Sequence, residues 1–235
     1  MYLAILSLLA VSFMLFQIAV LRELRFQLST VFTLTPLLFS GVLIFIGLGS
    51  LAAGRVRASS HRVLAWSSAL LPLLLLPLFA VVIALSQGLI DHSSEVFAYQ
   101  VGGRAATVGD AYIRSILVAF VAVGLLGYGV VFFLQGLIFA LYFRESRESG
   151  VLSNVYAVDL ASSGFGALLG GALCFVLTPI QLVMVSSALL LVNLWLSRRY
   201  LRMGIGLAGA VTVVALGLVA VEATTGSLER LEAPR

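Results

Sequence analysis

Charge is scarce in this chain and lysine is absent: 14 arginines and 10 acidic residues are the only charged side chains among 235. That is about one residue in ten, where a soluble domain carries about one in four. The shortage excludes an ordinary soluble enzyme. A single cysteine, Cys174, excludes an internal disulfide, and its apolar surroundings read as those of a small buried hydrophobe, which gives redox chemistry no support. The arginines stand in twos and threes beside apolar segments and form no continuous basic stripe, which argues against nucleic acid as a partner. There is no Ser-His-Asp, HExxH, Walker or GxGxxG pattern, and Asp91 and His92 alone make no metal site. The residues therefore offer no catalytic centre, no metal set and no cofactor motif.

What the chain has in abundance is uninterrupted apolar sequence. Stretches 1–21, 26–54, 63–90, 115–143, 160–197 and 203–221 contain no charged residue. Each is long enough to cross roughly 30 Å of hydrocarbon at about 1.5 Å per helical residue. The runs are continuous and do not alternate every second residue, so helices are expected and a transmembrane barrel is not. Pro179 divides the long fifth stretch, since proline lacks an amide hydrogen and biases its predecessor out of helix. The reading is an all-α polytopic transmembrane bundle of about seven helices, near 1–21, 34–53, 63–85, 116–142, 151–178, 181–197 and 203–221. A polar connection at 86–114 and a tail or linker at 222–235 complete the plan. The first segment has no positive leader and no small-residue cleavage site before Arg22, so it reads as a retained helix. With seven crossings, eight arginines fall on the side of the N-terminus and six on the other, a mild bias toward a cytoplasmic N-terminus.

Polar residues inside the apolar runs are the candidate sites. Asp159 shares a helical face with Tyr156, Ser163 and Gly166, and an intramembrane acid is a functional candidate by default. It lies near the start of its helix, with Ser153 as a possible N-cap, so a packing or interfacial acid is the competing reading. Gln17 must find an interhelical hydrogen bond or the headgroups, and Gln135 joins it, Asp159 and Tyr156 as a candidate intramembrane polar site. Arg22, Glu23, Arg25 and Arg55 read as membrane-edge charges. A direct Arg22–Asp159 pair is not expected, because the two stand near opposite ends of their helices. Gly166, Gly170 and Gly171 mark a small-residue stripe for close helix packing, with Gly47, Gly49 and Gly54, and Gly124, Gly127 and Gly129, as candidate partner surfaces.

Four blocks in order resemble the membrane domain of the membrane-bound spermidine synthase-like proteins. They are Gln17–Leu24, Phe45–Ser50 with Gly54 and Arg55, Gly136–Phe139, and Tyr156–Leu160 followed by the Gly166–Gly171 stripe. Many relatives carry proline where this chain has Ala140, so no helix break is expected there. The resemblance implies a non-catalytic integral domain in a bacterial cytoplasmic (inner) membrane. Such a domain anchors a soluble synthase-like domain or passes it a small polar solute of the polyamine class. The nucleotide loop and catalytic acid are then expected beyond Arg235 or on a partner chain. A structural accessory subunit of a larger membrane complex and a small-solute transporter are the competing classes.

Overall fold

The computed structural model describes residues 2–27, 34–56, 66–85, 127–148, 152–198 and 204–225. They form seven helices: α1 Tyr2–Gln27, α2 Leu34–Arg55, α3 Trp66–Leu85, α4 Gly129–Glu148, α5 Leu152–Leu173, α6 Pro179–Ser197 and α7 Ile205–Thr225. No strand occurs among the described residues. Five helices hold an apolar span of 18 to 21 residues, while α2 and α4 hold shorter ones, Phe39–Arg55 and Gly129–Arg144. The chain is an integral membrane protein of the all-α class.

Contacts between helices give their directions. Phe13 lies against Phe139 and Phe16 against Phe132, so α1 and α4 run antiparallel. Gly41 abuts Tyr128, Ser50 reaches Gly136 and Arg144 reaches Val56, so α2 and α4 run parallel. Gly166 lies over Val11 and Met14 and Gly170 over Leu15 and Ile18, which makes α5 parallel to α1. Ser186 meets Ser12 and Arg22 meets Leu177, so α6 runs against α1. Pro72 of α3 meets Ser187, while Val82 lies beside Gly127. Trp195 meets Thr212 across the α6–α7 connection. The seven helices therefore alternate in direction, with α1, α3, α5 and α7 one way and α2, α4 and α6 the other.

Large apolar side chains fill the centre. Phe16 sits between Phe79 and Phe132, and Tyr128 carries the ring contacts on to Phe45, so one aromatic run joins α1, α2, α3 and α4. Edge-on ring pairs add roughly 0.5–1.5 kcal/mol beyond area burial. In contrast, α5 buries only 17% of its apolar window and α7 22%, against at least half for α1, α3 and α6. These two helices lie at the periphery.

Several expected boundaries move. α1 continues through Arg22 to Gln27 and α4 through Arg144 to Glu148, because arginine is a good helix former and both guanidiniums find carbonyl partners inside the protein. The fourth helix was expected from residue 116, and residues 86–126, with the polar connection and Gly124, lie outside the described set. α4 runs unbroken past Ala140, as expected without a proline. α5 stops at Leu173, five residues short of expectation, and Cys174–Leu177 turn back onto it through Cys174 N–H to Gly170 O at 3.0 Å and Leu177 N–H to Leu173 O at 2.8 Å. Ser153 is already inside that helix and is no N-cap.

Pro179 opens α6 where a break was expected through 180, since proline is tolerated in the first helical turn. Thr178 and Gln181 form the capping box: the Gln181 amide donates to Thr178 Oγ1 at 3.3 Å and the Thr178 amide to Gln181 Oε1 at 3.0 Å. α7 carries on to Thr225 with Glu222 buried, so the tail starts later than 222. In a Cys174→Ala background, single cysteines at Ser146 and Ser227 should react with a membrane-impermeant thiol reagent from opposite sides. Labelling of both from one side would refute the alternation.

Candidate functional site

The glycines divide sharply by what faces them. A Cβ on Gly49 would fall on the Phe133 carbonyl and 2.8 Å from Leu137 N, and one on Gly136 would fall on the Ile46 carbonyl. α2 and α4 thus cross with backbone against backbone, each contributing the glycine that makes room for the other. Ser50 Oγ lies 2.9 Å from Ile46 O and 3.3 Å from Gly136 O, so its hydroxyl hydrogen serves carbonyls at the crossing itself. Gly136 was not among the expected packing residues. Its signal was a lone glycine in a helix interior, a position that disfavours helix by about 1 kcal/mol unless close packing repays it.

The stripe on α5 packs as expected, but on a different partner. Gly166 and Gly170 lie on α1, where a Cβ would come within 2.9 Å of Met14 Cβ and 3.2 Å of Leu15 Cδ2 and would strike Ile18. The partner surface is made of large side chains, and the glycines expected there on α2 are elsewhere. Gly49 faces α4, and Gly47 and Gly54 meet nothing within 4 Å. Gly127 faces Val82 of α3. Gly171 also faces open space, on the outward side of α5. Of the expected triplet, Gly166 packs against the Val11 backbone and Gly170 against the Leu15 and Ile18 side chains.

The arginines at helix ends act as caps for neighbouring helices. Four carbonyls at each helix C-terminus lack intrahelical donors, and lipid supplies none. Arg22 Nη1 donates to the Leu177 carbonyl in the turn after α5. Arg144 Nη1 donates to the Val56 carbonyl just past α2, at 2.9 Å. Arg22 is therefore tied down and does not simply reach for headgroups. Arg55 is exposed and Glu23 is buried, while the side chain of Arg25 lies outside the described set.

The candidate intramembrane polar residues stand on three helices, Gln17 on α1, Gln135 on α4 and Tyr156 with Asp159 on α5. Asp159 and Gln17 are half-buried, and Tyr156 is 62% exposed on the outer side of α5. Asp159 lies on the α1-facing side two turns before Gly166, level with the start of α1, whereas Arg22 stands at the other end beside Leu177. No Arg22–Asp159 pair forms. Gln135 Oε1 is buried without a hydrogen bond among the described residues, as are Ser68 Oγ and Asn193 Oδ1. Asn193, 1% exposed, and Ser68, 4% exposed, were not singled out from the sequence. Among the described residues no group of three His, Cys, Asp or Glu side chains could hold a metal ion.

With this geometry, the described part of the chain is a helical membrane bundle with close glycine contacts between α2 and α4 and between α5 and α1. Comparison with protein-family models, with curated proteins and with solved structures yields no match. Substitution at the crossings should separate buried from open glycines. Gly49→Leu, Gly136→Leu and Gly170→Leu should each lose about 1–3 kcal/mol through overpacking. Gly47→Leu and Gly171→Leu should be close to neutral. Detergent melting curves of the five variants test this, and equal losses at open and closed positions would refute the assignment.

Proposed function

We propose that the chain is a non-catalytic integral membrane domain, similar to that of the spermidine synthase-like membrane proteins, which anchors a soluble synthase-like domain to a bacterial inner membrane. Catalysis then belongs to that soluble domain, on the same polypeptide or a separate one. The observation that supports the reading most directly is where the four resembling blocks meet. The second and third blocks hold Gly49, Ser50 and Gly136, which form the α2–α4 crossing. The first block contributes Arg22, which ties α1 to the α5–α6 turn, and the stripe following the fourth block packs α5 on α1. Residues that carry the resemblance are thus residues that hold helices together, as a scaffold requires.

The polar hydrogens favour anchoring over conduction. Ser12, Ser50, Ser186, Ser187 and Thr212 all donate to backbone carbonyls. Gln17, Gln135 and Asp159 are joined by no hydrogen bond, so the described residues lay down no polar relay through the bundle. A second reading, an accessory subunit of a larger membrane complex, is favoured by the sparse burial of α5 and α7, whose outer faces are free to seat another helix.

Two measurements test these readings. A soluble aminopropyltransferase-like domain produced with the chain should sediment with membranes only when the chain is present. A partner that remains in the supernatant refutes anchoring of a separate chain. In proteoliposomes, polyamine uptake should be absent and Asp159→Asn should be silent, while Asp159→Leu should destabilise only to the extent that the carboxylate bridges neighbouring groups. Uptake by the wild type that is lost in Asp159→Asn would instead establish a transporter.

A further inference from the structure

The alternation of the helices collects a particular set of side chains at one end. α2, α4 and α6 all finish at the end where α1 begins, and each carries arginine at or beside its last turn: Arg55, Arg144 with Arg147 ahead of the terminal Glu148, and Arg198. Both tryptophans of the chain lie there too, Trp66 as the first residue of α3 and Trp195 in the last turn of α6. They are 59% and 37% exposed. Arg55 and Arg147 are exposed, whereas Arg144 is committed to the Val56 carbonyl.

Trp195 and Arg198 form a unit. The Arg198 guanidinium lies 4.7 Å from the centre of the Trp195 ring. The Trp195 indole N–H donates to Thr212 Oγ1 at 2.9 Å, and the Thr212 hydroxyl donates to the Ala208 carbonyl at 2.8 Å. The indole is thereby fixed to α7, and the cation is held over its ring with no carboxylate paired to it among the described residues. The opposite end is different in kind. There Arg22 is used on a backbone carbonyl, and Glu23 and Glu222 are buried. In sequence, the segments that follow α3 and α7 in the chain, 86–126 and 226–235, hold five carboxylates against four arginines.

We propose that the end where α2, α4 and α6 finish is a contact surface for anionic phospholipid. Arg55, Arg147 and the Trp195–Arg198 pair take headgroup phosphates, and the two indoles sit at the interfacial level. Tryptophan seeks that level because its ring is apolar and its N–H polar, and arginine binds phosphate in a forked geometry that a zwitterionic headgroup offsets with its own cation. A competing account has the arginines only completing the dipoles of the three helix C-termini. That account predicts no preference among lipids.

Because both tryptophans lie at this end, their fluorescence reads the surface directly. The full chain is reconstituted in vesicles containing brominated phosphatidylglycerol or brominated phosphatidylcholine at equal mole fraction. Quenching by the anionic lipid is expected to be about two-fold stronger, with the preference falling as salt rises to screen the attraction. Arg55→Gln/Arg147→Gln/Arg198→Gln should remove the preference while leaving quenching by phosphatidylcholine unchanged. Should the triple variant fail to fold, Arg198→Gln in a Trp66→Phe background isolates the Trp195 signal and should lose the preference alone. Equal quenching by the two lipids in the wild type, or a preference that survives these substitutions, overturns the proposal.

Discussion

A hydrocarbon solvent donates no hydrogen bonds, and this single constraint organises the described structure. Each helix must satisfy its own backbone, and each polar side chain must find a partner within the protein. Here side-chain hydrogens go overwhelmingly to carbonyls: Ser7 to Leu3, Ser12 to Leu8, Ser186 to Ser12, Ser187 to Pro72 and Ser197 to Leu194. Such bonds average about 0.6 kcal/mol in membrane proteins, so no single one holds the bundle. Their effect is positional. Ser186 and Ser187 reach α1 and α3 from adjacent positions on α6, and so set how those three helices are registered.

Because lipid competes with apolar side chains on equal terms, attraction between helices comes chiefly from close packing. Glycine is what permits it at the two tightest places. At the α2–α4 crossing a glycine from each helix lets the other backbone in, and the same logic seats α5 on α1 through Gly166 and Gly170. α2 and α4 have the shortest apolar stretches of the seven and the most intimate contact. α5 has a long apolar span but only one well-packed face, so Phe165 and Leu168 remain exposed on its outside, as do Phe175 and Val176 in the turn after it.

The arginines show how position decides the role of one residue type. Arg22 reaches the Leu177 carbonyl in the turn between α5 and α6 and Arg144 the Val56 carbonyl just past α2, and both become internal fasteners at opposite ends of the bundle. Arg198 has an aromatic face beneath it, and Arg55 and Arg147 have open surroundings. Asp159, by contrast, is half-buried beside the start of α1, far from the guanidinium that would have been its simplest partner. The parallel course of α1 and α5 keeps residue 159 level with the first turns of α1 and residue 177 level with Arg22, so these two charges stay apart.

Much of the fold was legible in the residues themselves. Continuous apolar runs bounded by arginines determine helices and their number, because only a helix satisfies its backbone alone in lipid. Pro179 determined the α5–α6 corner, although the helix was placed two residues late and the Thr178–Gln181 capping box emerged only in the structure. The GxxxG spacing determined that Gly166 and Gly170 share a packing face. Which helix would cover that face was decided only in three dimensions. α1 offers no glycine opposite the stripe, and the fit depends on gaps between Val11, Met14, Leu15 and Ile18. The pairing of Gly49 with Gly136, 87 positions apart, and the reach of Arg22 to Leu177 were decided in the same way. Local sequence sets the periodicity of one helix, whereas the partner of a small residue or a guanidinium depends on where another helix passes, and that is a property of the assembled bundle.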